Sequence, residues 1–177
     1  MLSVHNELKQ NKHIKSFKLP QLNGGQKRGR YGSYKCEVNG ITFDSVMEAR
    51  FYAFLLLQKA GRKIKNFERQ VPYELLPKFK TKAGKTIRAT DYIADFVITE
   101  KDGSQKVIDV KGKKTEVFRI KEKLFMNRYP DLEFICIQWD DYYNEWRNLE
   151  DIEKDARARK RANKKKKTEN QTKTKRR

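Results

Sequence analysis

Two stretches constrain this chain more than any other. Tyr92 to Ile98 and Val107 to Lys111 are largely apolar, yet each carries an aspartate where a buried strand would ordinarily place another hydrophobe. They flank Asp102-Gly103, a dipeptide suited to a tight hairpin turn. Two adjacent antiparallel strands are therefore expected, Ile87 to Thr99 and Lys106 to Lys111. Side chains alternate across a strand, which puts Asp91, Ile93, Asp95 and Val97 on one side of the first. By the same rule Val107, Asp109 and Lys111 share one side of the second. The hairpin then brings Asp95, Asp109 and Lys111 together.

The remaining periodicity surrounds this hairpin with helices and further strands. Lys35 to Val38 and Ile41 to Phe43 flank Asn39-Gly40 and read as a small entry hairpin. Ser45 opens a helix that runs to about Ala60 and stops at Gly61, with Ser45 and Glu48 spaced as a capping box. Few positions between Val46 and Leu57 are polar, so this is a core helix or one that also forms a dimer contact. Asn66 to Val71 reads as a strand ended by Pro72, and Tyr73 to Phe79 leads into a turn at Lys82 to Lys85. Thr115 to Tyr129 reads as a helix ended by Pro130, with Val117, Ile120, Leu124, Phe118, Phe125 and Tyr129 as its apolar face. Leu132 to Gln138 is a strand, and a final helix from about Glu145 loses its apolar periodicity near Ala156. This order predicts an α/β (α+β) domain, a central mixed β-sheet flanked by helices.

A length of 177 residues fits one such domain with tails. The formal charge of +19 is unevenly spread. Residues 1–35 carry eight Lys/Arg against one acid and residues 157–177 carry twelve against one, whereas residues 36–156 are nearly balanced. The expected organisation is a flexible basic arm over residues 1–33, a folded domain over 34–156 and a disordered basic tail over 157–177. Such arms favour a polyanion, and nucleic acid is the natural partner; a solubility tail or membrane-surface attraction is the blander reading. No apolar run is long enough to span a membrane and Met1 to Gln10 has no secretory pattern, so a cytoplasmic protein is expected. Cys36 and Cys136 lack zinc-ligand spacing, and His5 and His13 lie far from the acids, so any metal would be held by oxygen.

Clustered carboxylates repel and are stabilised by a cation, and an all-oxygen set suits Mg²⁺, with Mn²⁺ able to substitute. Such an ion polarises a phosphate and activates water, while the Lys111 ammonium can orient the attacking water and offset developing charge. Asp-x-Lys by itself is equally an ion pair on a solvated sheet face. Glu48 is explained by its cap as well as by chemistry. Asp91, at the strand's start, suits a backbone or turn role more than a metal. Gln70 stands on the same strand face as Glu68 and is either a site neighbour or a structural polar residue. Lys113, Lys114, Thr115, Arg119 and Lys121 follow the acids into the next helix, where side chains and backbone N–H groups can meet phosphate, and are the candidate DNA contacts.

These residues carry a resemblance. Phe43-Asp44-Ser45 followed by Glu48-Ala49, then Asn66 to Gln70, Tyr92-Ile93-Ala94-Asp95-Phe96 and Val107-Ile108-Asp109-Val110-Lys111-Gly112 resemble a family of small bacteriophage-encoded PD-(D/E)xK nucleases. The likeness spans about residues 34 to 138 and holds in order and spacing. The same segments are more distantly similar to the archaeal Hjc and bacterial RecU Holliday-junction resolvases and to the TnsA transposase subunit. The resemblance implies a restriction-endonuclease-like fold, with Asp95 as principal metal ligand, Asp109 as second carboxylate, Lys111 as catalytic lysine and Glu48 as an additional metal or water ligand. Ala94 stands where the family often has proline, and Asp109 where glutamate is commoner; both are tolerated variants. The implied activity is Mg²⁺-dependent cleavage of DNA, foremost of four-way junctions by a homodimer. TnsA-like nicking, or DNA binding without catalysis on the same fold, are the alternatives.

Overall fold

Asn39 and Gly40 both take positive φ, 53° and 76°, and so turn the first strand back on the second without strain at the glycine. In a computed structural model describing residues 35–174, with side chains through residue 164, this hairpin is β1 (Cys36–Val38) and β2 (Ile41–Phe43). The order continues α1 (Val46–Ala60), β3 (Asn66–Leu76), β4 (Phe79–Lys80), β5 (Thr86–Ile87), β6 (Thr90–Thr99) and β7 (Gln105–Val110). It ends α2 (Glu116–Arg128), β8 (Glu133–Asp140), β9 (Glu145–Asn148) and α3 (Leu149–Thr174). The expected N-terminal arm, residues 1–33, lies outside the described residues.

Five strands form one sheet in the order β3-β6-β7-β8-β9. Its pairs are antiparallel except β7 with β8, which are parallel because α2 makes the crossover between them. One face packs against α1 and the β1–β2 hairpin: Phe43, Phe51, Tyr52 and Leu55 meet Phe96, Ile98, Ile108, Val110 and Ile137. The opposite face packs against α2 and the start of α3: Phe118, Phe125 and Leu149 meet Tyr92, Ala94, Val97, Val107 and Cys136. A mixed sheet with helices on both faces is the α/β architecture expected from the pattern, and it is consistent with the restriction-endonuclease-like fold that the resemblance implies.

The strict alternation expected along β6 does not hold. Tyr92 and Ala94 pack on the α2 face, but Phe96 and Ile98 pack on the α1 face, so the two halves of the strand present opposite parity. Val97 is buried on the α2 face while Asp91 and Ile93 are exposed. The partner strand switches at the same level: Phe67 packs with the α1 cluster and Val71 and Tyr73 with the α2 cluster. Arg69 pairs with Phe96 and Val71 with Ala94, so the ladder skips Gln70 and Asp95, which stand opposite each other. Gln70 supplies the kink by adopting φ +52°, a left-handed conformation that is rare for a side-chain-bearing residue inside a strand.

Four other expectations need correction. Pro72 does not end its strand, which runs on to Leu76; β3 is the sheet edge, where a missing N–H on the outer side costs no ladder bond. The strand expected from Ile87 is broken into β5 and β6. Glu145 begins β9, not a helix: Asn144 at φ 55° closes a hairpin that pairs Trp139 with Trp146, and helix starts only at Leu149. Residues 157–174, expected to be disordered, continue α3, since Arg, Lys, Ala and Gln are good helix formers and Glu150 and Asp151 favour the helix start.

The face of α2 is also divided. Phe118 and Phe125 are buried, but Val117 is 67% and Ile120 61% exposed. At about 100° per residue, Val117, Ile120 and Leu124 form a stripe roughly a third of a turn from Phe118, Phe125 and Tyr129. The aromatic stripe is the one that faces the sheet, where Phe125 stacks with Tyr73, Tyr92 and Phe134. On α1, by contrast, Ala49, Phe51, Tyr52, Ala53, Leu55 and Leu57 are all buried, so the helix is a core helix, while Val46, Met47, Phe54 and Leu56 stay partly exposed.

Candidate active site

The skipped pair is where the carboxylates gather. β6 and β7 keep their ladder from Thr99–Gln105 up to Phe96–Ile108 and no further. At the next level the backbone of Val110 donates to Asp95 Oδ2 at 2.9 Å, so a side chain takes the place of a ladder carbonyl as the strands part. Beyond this point Lys111 N–H turns to Ile137 O of β8 at 2.9 Å. Asp95 and Asp109 thus stand at the fork of two diverging strands.

Asp109 is only 2% exposed, an expensive place for a charge unless it is fully satisfied. Tyr92 O–H donates to its Oδ1 at 2.6 Å and Lys111 Nζ donates to its Oδ2 at 2.6 Å. Tyr92 is itself enclosed by Phe118, Phe125 and Phe134. Burial, followed by the Asp109 charge, pushes the phenol far up, so it remains a neutral donor. Lys111 Nζ also lies 4.3 Å from the centroid of Phe118, which fixes the ammonium over a ring face.

Asp95 is in the opposite situation. Burial, then the charges of Asp109 and Glu48, push its carboxyl up to about 7, and the Val110 N–H and Lys111 offset this only in part. Glu48 is pushed up as well, first by burial and then by Asp44 and Asp109, against the Ser45 hydroxyl and Lys111. The Ser45 half of the expected capping box is present, with Glu48 N–H donating to Ser45 Oγ at 3.1 Å, while the glutamate side chain is held by the Ser45 hydroxyl, which donates to Glu48 Oε1 at 2.8 Å. The cap and the site are therefore compatible, because the hydroxyl that starts α1 also aims the glutamate. The charges of Asp109 and Lys111 act on both Glu48 and Asp95.

Burial and then neighbouring acids raise both carboxyls, an arrangement that a cation would stabilise, and the donors, all oxygen, suit a hard divalent ion. Asp95 and Glu48 fit that group. Asp109 fits it only if Lys111 releases Oδ2, since both its oxygens are engaged; among the described residues no three acids form a group that would hold an ion as they stand.

The five flanking candidates differ in availability. Lys113 and Arg119 are exposed. Lys114 is not open to a ligand: its side chain is 9% exposed and its ammonium bridges Glu122 at 2.7 Å and Glu150 at 3.0 Å. Thr115 is the N-cap of α2, accepting from Phe118 N–H at 3.2 Å. Lys121 Nζ donates to the backbone carbonyl of Asp91 at 2.8 Å, tying α2 to the start of β6, and the Asp91 residue is exposed. Gln70 is exposed and faces Asp95 across the kink.

Tyr92 was not anticipated as a site residue. Its contact with Asp109 crosses from one strand to the other off register, and strict alternation would turn Tyr92 away from Asp95, so the sequence pattern carried no signal for it. A cavity of about 770 Å³, lined by Phe54, Ile98, Ile135 and Trp146 among others, opens elsewhere between α1 and the β8–β9 edge and includes none of these residues. No helix of the described residues is long and apolar enough to cross a membrane. No curated protein matches the chain. The family model described as Protein of unknown function (DUF1064) matches residues 28–145.

Proposed function

We propose that this chain, which belongs to the DUF1064 family, is a metal-dependent endonuclease that hydrolyses phosphodiester bonds in DNA, with branched DNA such as a four-way junction as its substrate. The observation that carries the reading is Asp95: a carboxylate at a strand fork, raised to about 7 by burial and then by Asp109 and Glu48, with the Lys111 ammonium beside it. Structural ion pairs perturb carboxylates in the other direction, downward, so a raised, partly exposed acid beside two more acids points to a ligand site.

In this mechanism Asp95 and Asp109 would hold Mg²⁺, with Glu48 as an additional ligand to the ion or to water. When bound, the ion polarises the phosphate and lowers the pKa of coordinated water. Lys111, held over Phe118, moves from Asp109 toward the reacting phosphate, where its charge stabilises the crowded anionic transition state. Tyr92 keeps Asp109 in place while Lys111 leaves it. Deprotonated Asp95 is the form that binds a cation, so metal affinity rises with pH up to about 7.

Charge supports DNA as the polyanion: the two ends of the chain carry almost all of the +19. Phosphates converge on a junction from several directions, which suits two separate basic ends. A homodimer is the arrangement that cuts two symmetric strands of one junction. The test offers labelled linear duplex, nicked, flap and four-way-junction DNA with Mg²⁺ to the wild-type protein and to Asp109→Asn. Cleavage favouring the junction, and lost by roughly 10²-fold or more in the variant, is expected. Undiminished cutting by Asp109→Asn sinks the mechanism, and equal cutting of duplex and junction sinks the substrate preference alone.

A further inference from the structure

Arg69, which pairs with Phe96 beside the fork, buries a polar atom that the fold leaves unanswered. Its Nε is the only buried side-chain nitrogen or oxygen without a hydrogen-bond partner among the described residues. No carboxylate pairs with it there either, whereas Arg147 meets Asp140 and Asp155 at 2.9 Å each and Lys114 meets Glu122 and Glu150. Instead its guanidinium carbon lies 4.2 Å from the Phe43 ring centroid and 5.4 Å from that of Tyr52. Arg50 also lies over a ring, Trp139, but buries no unpartnered nitrogen.

The position of those rings matters. Tyr52 is one helical turn after Glu48 on α1 and so shares its face, and Phe43 lies two residues before the Ser45 cap. On the strand side, Arg69 pairs with Phe96, the neighbour of Asp95. The guanidinium is therefore carried in the layer that holds Glu48 on one side and Asp95 on the other. The left-handed backbone of Gln70 keeps it there: without the kink Arg69 and Val71 would share a face, and Val71 packs with the α2 cluster.

We infer that Arg69 is a phosphate-binding residue of this site, contacting a non-bridging oxygen of the DNA backbone from the β3 side. The inference rests on the nuclease reading for the identity of the anion. A planar guanidinium held against two rings has little further freedom to lose on binding, and its fork of donors matches phosphate oxygens. The competing reading is that Arg69 only fills space over Phe43 and Tyr52.

The experiment follows the Nε–Hε resonance of Arg69 in the ¹⁵N-labelled full chain, assigned by its loss in Arg69→Lys. Inorganic phosphate and a short duplex are titrated separately in metal-free buffer, and cleavage is measured with Mg²⁺. A saturable shift of that resonance is expected with both probes. Arg69→Gln is expected to raise KM about tenfold and to lower the slope of log affinity against log salt by about one, the effect of losing one phosphate contact. If Arg69→Gln fails to fold, Arg69→Lys retains the charge but not the fork, and a smaller rise in KM is expected. A resonance unmoved by either probe overturns the inference, as does a folded variant with wild-type KM and salt slope. Should the wild type cut DNA while Arg69 stays indifferent, the nuclease reading stands and the inference falls. Should phosphate move Arg69 in a protein that cuts nothing, the anion site stands and the nuclease reading falls.

Discussion

Asp95 and Asp109 occupy facing positions at one fork but are stabilised in different ways, and the difference is measurable. Asp109 has two donors and is settled by them; Asp95 has one backbone N–H and two acidic neighbours. Its folded pKa of about 7 lies above the unfolded value near 3.8, so the folded chain holds the extra proton between the two. The stability this contributes is complete below the lower value and is lost as pH rises to the higher, by about 1.4 kcal/mol per unit of pH. In metal-free buffer the thermal midpoint of the wild type is expected to fall from pH 4 to pH 7 relative to Asp95→Asn, and Mg²⁺ is expected to reverse that fall at pH 7. Parallel pH profiles for the two proteins would show that Asp95 is not the strained group. The acids and the lysine were legible in the sequence because each interrupts an apolar run. Tyr92 and Arg69 were not, because an aromatic or a basic residue in a strand looks ordinary until its neighbours across the fold are known.

Among the elements, α1 does most to join fold and site, through a single hydroxyl. Ser45→Ala removes the acceptor for Glu48 N–H and is expected to cost about 1 kcal/mol by chemical denaturation. Ser45→Asp restores the cap but sets a second negative charge beside Glu48. It is expected to recover stability without recovering cleavage, and recovery of both would mean that Ser45 only caps. The limits of α1 and α2 were readable because Ser45, Gly61 and Thr115 are chemical punctuation. The edge strand was misread because Pro72 breaks an interior strand and not an exposed one. β9 was missed because four residues are too few to show a period, and its signal, the cross-strand Trp139–Trp146 pair, exists only once the hairpin has formed. The exposed stripe of α2 was misassigned because hydrophobicity alone does not say which of two stripes meets the sheet.

For the whole molecule, charge and structure separate along α3. Arg147 pairs with Asp155, and Arg159 lies over Tyr142 at 4.5 Å, so the first half of the helix is tied to the β8–β9 hairpin. Deleting residues 163–177 removes eight Lys/Arg beyond those ties. The truncated protein is expected to keep its thermal midpoint within about 2 °C and to bind DNA with a shallower salt dependence, read by fluorescence anisotropy. A lost fold would mean that the basic half of α3 also packs, and an unchanged salt slope would remove it from the binding surface.

The skipped pair at Gln70 and Asp95 has a mechanical consequence. A ladder missing one rung is a crease: across it, residues of one parity turn from the α1 face of the sheet to the α2 face. Asp95 stands on the crease, Glu48 is carried by α1 on one face, and Lys111 lies over Phe118 of α2 on the other. The spacing of Glu48, Asp95 and Lys111 therefore follows the bend of the strands at the crease, and a ligand that reaches from Arg69 to Lys111 works against that bend like a hand closing a book. Backbone amides at Val71 and Ala94 are expected to exchange with solvent faster than those at Glu68 and Val97, and to slow when DNA binds. Uniform protection along both strands would mean that the crease is stiff and the site is set before its substrate arrives.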